Sequence, residues 1–279
     1  KRRMAGHTIG SVRYESELKV AVITVAAICL WLGAFVLFYL GFDWLIRFGS
    51  QGGPEFSFGD FLMRQTLGIF SLSVFLLLIF SNVLVSFATF YRSHEVVYLL
   101  QGPISYRNFF YARFFECLGF SSWSLAFLGS PLILAYGLSI DASLLFYGAA
   151  VLFFLPFVIV PAAIGCLITL VLVRVFPRIR VKAMVVLGCA AVGLFFLFIR
   201  YAIQGTEVTD DTLLQTVLDA TARTQSAFLP SYWASQGILL TARYEFGPAL
   251  FYFLLLLANA LFALWLTGEI AHRIFFPGW

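Results

Sequence analysis

Ser71, Phe75, Leu78, Asn82, Ser86 and Thr89 follow one another at spacings of four, four, three, four and three within an apolar run. On a helix that rhythm draws a single stripe. Hydroxyls and amides along such a stripe can exchange hydrogen bonds with a passing solute, or lock two helices together. They are neither acids nor bases near neutral pH, so the chemistry they allow is guidance or packing. Smaller stripes recur at Ser121, Ser122, Ser124 and Gly129, at Gly188, Cys189, Ala190, Ala191 and Gly193, and at Asn259 among Ala258, Ala260 and Ala263. For each of them helix packing and a substrate path are both open.

Groups that make or break bonds are scarce. His7, His94 and His272 fall in separate segments and form no metal set. Cys29, Cys117, Cys166 and Cys189 each stand alone in an apolar run, which argues against a disulfide framework or a zinc site. The His, Asp or Ser–His constellation that a membrane acyltransferase or an intramembrane protease needs cannot be assembled. The phosphate-cradling GxxxxGK[ST] loop does not occur. No catalytic, cofactor-binding or metal-binding residue is therefore expected. A basic stripe of the kind that binds nucleic acid is also missing.

The elements that must hold these residues follow from composition. Of 279 residues, 61% are hydrophobic and 11% charged, where an ordinary soluble domain is about half apolar and a quarter charged. With a mean hydropathy of +0.94, this composition implies an all-α polytopic membrane protein, because an open strand cannot satisfy its backbone in lipid. A span takes about 20 apolar residues. Six are expected, near residues 20–40, 61–90, 109–138, 143–173, 183–201 and 246–270. Residues 1–279 then read as one six-helix domain, with no room for a separate nucleotide-binding domain. No charged residue falls in mid-span, which disfavours a proton- or sodium-driven transporter. Pro156 and Pro161 should kink the fourth span, as a fixed bend or as a hinge.

Orientation follows from Lys and Arg in the connecting segments. With the N-terminus in the cytoplasm, 13 of the 18 basic residues lie inside and 9 of the 14 acidic residues outside. The expected topology is N-in and C-in. The chain begins at Lys1, so a few residues are expected to precede it, and Lys1-Arg2-Arg3 leads into no apolar region of a cleavable signal peptide. Residues 1–19 are basic and weakly amphipathic, and should lie along the inner interface before turning into the first span. Residues 91–107 form an inner segment in which Gly102-Pro103 ends a short surface helix. That helix could merely anchor the loop. Residues 204–245 form a long outer segment, acidic at Glu207, Asp210 and Asp211, followed by Leu229-Pro230-Ser231-Tyr232-Trp233. This second part suits a short re-entrant or interfacial element, with its aromatic residues at headgroup level.

Two stretches carry a resemblance. SNVLVSFATFYRSHEVVYLLQGPISYRNFFYARFFECLGFSSWSLAFLGSPLILAYG, residues 81–137, and FLPSYWASQGIL, residues 228–239, are similar to elements of a bacterial ABC-exporter permease family. Together with the six-helix topology, the chain resembles an ABC-2-type permease, the membrane subunit of exporters with the ABCG-like (type V) fold. The resemblance implies that residues 92–101 form a coupling helix for a separate ATPase subunit, with Arg92, His94, Glu95, Tyr98, Leu99 and Gln101 as its docking residues. It implies a connecting helix in residues 1–19, and an external helical cap in 204–245 that includes Leu229, Pro230, Ser231 and Trp233. Spans two and five would face a partner protomer, which makes the stripe from Ser71 to Thr89 a translocation face. ATP and magnesium would be bound by the ATPase and not by this chain.

Relatives of this kind are often longer, whereas this sequence stops just after the sixth span. Two six-helix units are needed to enclose a path, so the partner is a second permease half or a second copy of the chain. The expected function is export of an amphiphilic or apolar cargo across a bacterial inner membrane, among membrane lipid. The competing reading is a membrane scaffold or assembly subunit that transports nothing. A lipid-modifying enzyme is the third reading, and the missing catalytic constellation counts against it.

Overall fold

A computed structural model describes residues 2–49, 58–92, 106–175, 193 and 228–274. Its elements are α1 (Arg2–Gly49), α2 (Phe58–Phe87) prolonged by a π-turn (Ala88–Arg92), α3 (Tyr106–Ser139), α4 (Leu144–Val175), α5 (Pro230–Ala242) and α6 (Phe246–Ile274). Among the described residues all regular structure is helical, as an apolar chain in lipid requires. Helices α1, α2, α4 and α6 are each long and apolar enough to cross a membrane. Helix α3 makes a fifth span if its halves, Arg107–Trp123 and Leu125–Ser139, count as one. The expected span at 183–201 lies outside the described residues apart from Gly193, and so does the acidic part of the outer segment.

One expectation is corrected. Residues 2–49 do not turn where the first span begins: α1 is one uninterrupted helix of 48 residues. At 1.5 Å per residue it extends about 72 Å, more than twice the hydrocarbon thickness. No proline lies within it to force the expected break.

The marked bend is not in α4. That helix runs unbroken through Pro156 and Pro161, both buried. It is α3 that bends, by 44° between its halves, at the break between Trp123 and Leu125, about seven residues ahead of Pro131. Proline has no N–H, so the Phe127 carbonyl loses its normal donor. The Ser130 hydroxyl donates to that carbonyl at 3.4 Å, and accepts the Trp31 indole N–H from α1 at 2.9 Å. A freed backbone group is thereby satisfied without water.

Helix α4 is central, packed on α2, α3, α5 and α6, while α1 lies to one side against α3 and α2. The core has three tiers. One gathers Phe42, Leu67, Leu132, Tyr136, Phe146 and Leu239. The middle one includes Phe75, Leu78, Phe153, Phe157, Trp233 and Leu256. The third holds Phe90, Phe109, Phe110, Phe114, Leu170 and Ala271. This last tier lies at the end that also carries Arg107, Arg113, Arg174 and Arg273, called the basic end below.

At the opposite end two tight turns close helical hairpins. Between α3 and α4, Asp141 takes a positive φ of 49°, with the Ala142 N–H on the Gly137 carbonyl at 2.8 Å. Between α5 and α6, the Glu245 N–H reaches back to Leu240 O at 2.9 Å and the Tyr244 N–H to Thr241 O at 3.1 Å. That is the double closure of a Schellman cap, whose left-handed position normally belongs to glycine. Here Tyr244 occupies it, with φ 62°.

Candidate functional site

The basic end is built around the connection from α2 to α3. The final turn of α2 widens into the π-turn Ala88–Arg92, a departure from α-geometry often found at functional sites. At its centre Phe90 is fully buried. Its ring stacks on Phe110 of α3, centroids 5.4 Å apart and planes 20° apart. An aromatic pair thus ties the end of α2 to the first turns of α3, one ring on each side of residues 93–105 in the sequence. Of the docking residues expected there, His94, Glu95, Tyr98, Leu99 and Gln101 lie outside the described residues. Arg92 is the last residue of the π-turn.

Just behind the clamp, Arg113 is buried and its guanidinium donates to Glu116 Oε2 at 2.6 Å. The same guanidinium lies over the Phe109 ring at 5.9 Å. A buried cation near lipid needs such partners. Tyr111 leans across to α6, its hydroxyl filling the place a side chain on Gly268 would take. Helices α2, α3 and α6 are thus joined where the segment 93–105 attaches.

The stripe from Ser71 to Thr89 does not form an open face in this chain. Phe75, Leu78, Asn82 and Ser86 are all buried, Asn82 and Ser86 completely, and Thr89 is half-buried. They lie in the chain's own interior, much of it the seam between α2 and α4. The two backbones approach most closely at Gly165. A Cβ there would fall 2.9 Å from Ile79 O and 3.0 Å from Val83 N, and 2.7 Å from the Asn82 Cβ. Only glycine permits that distance.

Beside it the Thr169 hydroxyl donates across the seam to Val83 O at 3.0 Å, and shares its bond with Gly165 O at 3.0 Å. The Asn82 amide donates to Leu78 O at 2.8 Å, but its Oδ1 has no partner among the described residues. The fully buried Ser86 hydroxyl likewise has no hydrogen-bond partner among the described residues. The small-residue rule for helix contacts in lipid is followed closely here.

At the other end, Leu229 is the extended residue before α5, with φ −88° and ψ 132°, and Pro230 occupies its first turn. Proline suits that position because its N–H would go unused. Thirteen residues make a helix of about 20 Å, too short to cross the hydrocarbon. It packs instead into the bundle, against α2, α4 and α6. The Ser71 hydroxyl donates to the Ser231 carbonyl at 2.9 Å. Ser231 and Trp233 are both buried, so Trp233 belongs to the core and not to a headgroup-level belt. Tyr232 is half-buried and meets Tyr252 of α6 edge-on at 6.1 Å. Gly237 admits the Phe153 ring of α4 where any side chain would collide.

Among the described residues no group of His, Cys, Asp or Glu could hold a metal ion. Sequence reasoning missed the clamp and the seam contacts. An aromatic residue on each flank of the 91–107 segment was the available signal for Phe90 and Phe110, and the Arg113–Glu116 spacing of three was another.

These features define an integral membrane protein built of apolar helices, carrying a clamped connection at its basic end. The chain belongs to the family described as "Putative ATP-binding cassette", which it matches over residues 11–279. It is thus related to ABC transporters. No curated protein and no solved structure matches it.

Proposed function

We propose that this chain is the membrane-spanning permease subunit of an ATP-driven exporter, ABC-2-type in its organisation, and that a separate subunit binds ATP and magnesium. The observation that carries this reading is the family match itself. It runs through a chain of apolar helices with no GxxxxGK[ST] loop in residues 1–279, and this reading assigns the nucleotide chemistry to the separate subunit. Two such units, six helices each, enclose the path, and the basic end faces the cytoplasm of a bacterial inner membrane.

The residues 93–105 dock on the ATPase. When it closes on ATP, the Phe90–Phe110 clamp passes the displacement into α2 and α3 together. The α2–α4 seam at Gly165 and Thr169 is the surface on which that motion is taken up. The Ser71–Thr89 stripe meets cargo only if this seam parts. The cargo is amphiphilic or apolar.

Purification from the native membrane in mild detergent, followed by mass spectrometry, tests the proposal. A stoichiometric partner bearing a GxxxxGK[ST] loop supports it. A stable partner without one, and no ATP-linked turnover, overturns it in favour of the scaffold reading. In the reconstituted complex, Glu95→Ala with Tyr98→Ala should uncouple ATP hydrolysis from transport; normal coupling would remove these residues from the docking role.

A further inference from the structure

Away from the basic end, a cavity of about 530 Å³ lies between α2, α3, α4 and α5. Its walls include Phe70 and Val74, Leu125 and Gly129, and Phe154 and Phe157. Among the described residues that line it none is charged, and its hydroxyls are turned to other tasks. Ser71 donates to Ser231 O, Ser235 to Tyr232 O at 3.0 Å, and Ser130 is held between Trp31 and Phe127 O. The Tyr147 hydroxyl is pressed against Gly137. A ligand inside would therefore find hydrocarbon and aromatic surface with no polar anchor on offer. Water is excluded from such a space, and a charged or strongly polar molecule would lose its hydration for nothing. The size is that of a small-molecule site. At the rim Val151 and Ala126 are exposed, so the opening lies on an apolar outer face of a membrane-spanning bundle.

We propose that this cavity holds one acyl chain of a membrane lipid, the headgroup remaining outside. The surrounding hydrocarbon is the most concentrated apolar material available to it, and an alkyl chain needs no partner that the walls lack. The site lies within one chain, so it needs neither a second protomer nor an ATPase. It rests on the membrane-spanning reading alone and not on transport.

The test uses the whole chain in phosphatidylcholine vesicles containing a phospholipid with a diazirine in mid-acyl chain, irradiated and mapped by peptide mass spectrometry. The expected result is label concentrated on residues 67–74, 125–134 and 147–157, above that on the exposed faces of α1 and α6. Gly129→Leu and Ala150→Leu, which push side chains into the space, should each lower that label about fivefold and leave the label on α1 unchanged. A wild-type map with no enrichment at the cavity over α1 and α6 overturns the proposal, with no variant required. So does enrichment that a photoreactive sterol reproduces and the acyl probe does not. Gly129→Ala, whose Cβ would meet Leu125 Cδ1 at an ordinary 3.6 Å, supplies a variant that folds and should have a smaller effect of the same sign.

Discussion

Phe90 and Phe110 stack at 5.4 Å across the mouth of the segment that separates them. One ring comes from a π-turn and the other from the first turns of α3. Both are buried, so the pair is part of the core as well as the base of a loop. A force applied to residues 93–105 therefore acts on two helices at once. If the segment is a docking element, the pair is what makes it an effective one.

Weakening the clamp should separate coupling from folding. An aromatic pair adds about 0.5–1.5 kcal/mol beyond the area it buries. Phe90→Leu keeps most of the volume and removes the stacking. The expected outcome in the ATPase complex is near-normal stability with ATP hydrolysis retained and transport per ATP reduced. Proteoliposome transport, measured beside hydrolysis, checks it; equal losses in both would mean simple destabilisation.

The seam at Gly165 is intolerant of bulk. Val there would have to displace α2 backbone atoms 2.9–3.0 Å from its Cβ, and overpacking of that kind costs about 1–3 kcal/mol. Gly148→Ala is the control, since nothing lies within 4 Å of a Cβ at that position. Thermal unfolding in detergent should show a lower Tm for Gly165→Val and little change for Gly148→Ala.

Thr169→Val removes the hydroxyl bonded to Val83 O while keeping the shape. Interhelical hydrogen bonds in membrane proteins average about 0.6 kcal/mol. The expected loss of stability is of that order, measurable by comparing unfolding of the variant and the parent chain in mild detergent.

Tyr244 holds a backbone conformation that suits glycine, at φ 62° and with its side chain largely exposed. The left-handed conformation costs a non-glycine residue about 1–2 kcal/mol. Tyr244→Gly should relieve that strain and raise the Tm of the chain, with some loss from the edge contact to Phe246. A fall in Tm would show that the aromatic contact outweighs the backbone strain.

Arg113 and Glu116 differ in exposure, with side chains 8% and 40% accessible. The pair is therefore partly screened by its surroundings. Glu116→Ala should cost more than the ~1 kcal/mol of an exposed ion pair, because it takes the carboxylate from a buried cation, although Arg113 keeps the face of Phe109. Arg113→Ala should cost more, through the loss of buried volume at the basic end.

Much of the fold was legible because lipid imposes one simple rule. A run of about 20 apolar residues must be a helix, and the limits of α2, α3, α4 and α6 follow the expected ones within a few residues. Periodicity also picked out the Ser71–Thr89 stripe, but a period names a face and not its neighbour. The neighbour was decided by Gly165, a residue that contributes by having no side chain. Trp233 was misplaced for a related reason: tryptophan suits both a headgroup belt and a packed core, and composition does not separate them. A docking role for the residues from His94 to Gln101 came only through resemblance, since such a role would depend on a surface of another molecule.

Among the described residues helix α1 packs on α3 and α2, and Val22, Ile23, Leu30, Leu37 and Leu40 are exposed along its length. Such a helix needs no sibling to be stable in a bilayer; lipid alone satisfies it. During synthesis it can enter the membrane first and wait, while buried polar residues such as Asn82 and Thr169 have no comfortable state until α2 and α4 meet. The order of assembly is thus written as a difference in solvation: an autonomous mast, and a bundle that becomes stable only when its halves are both present.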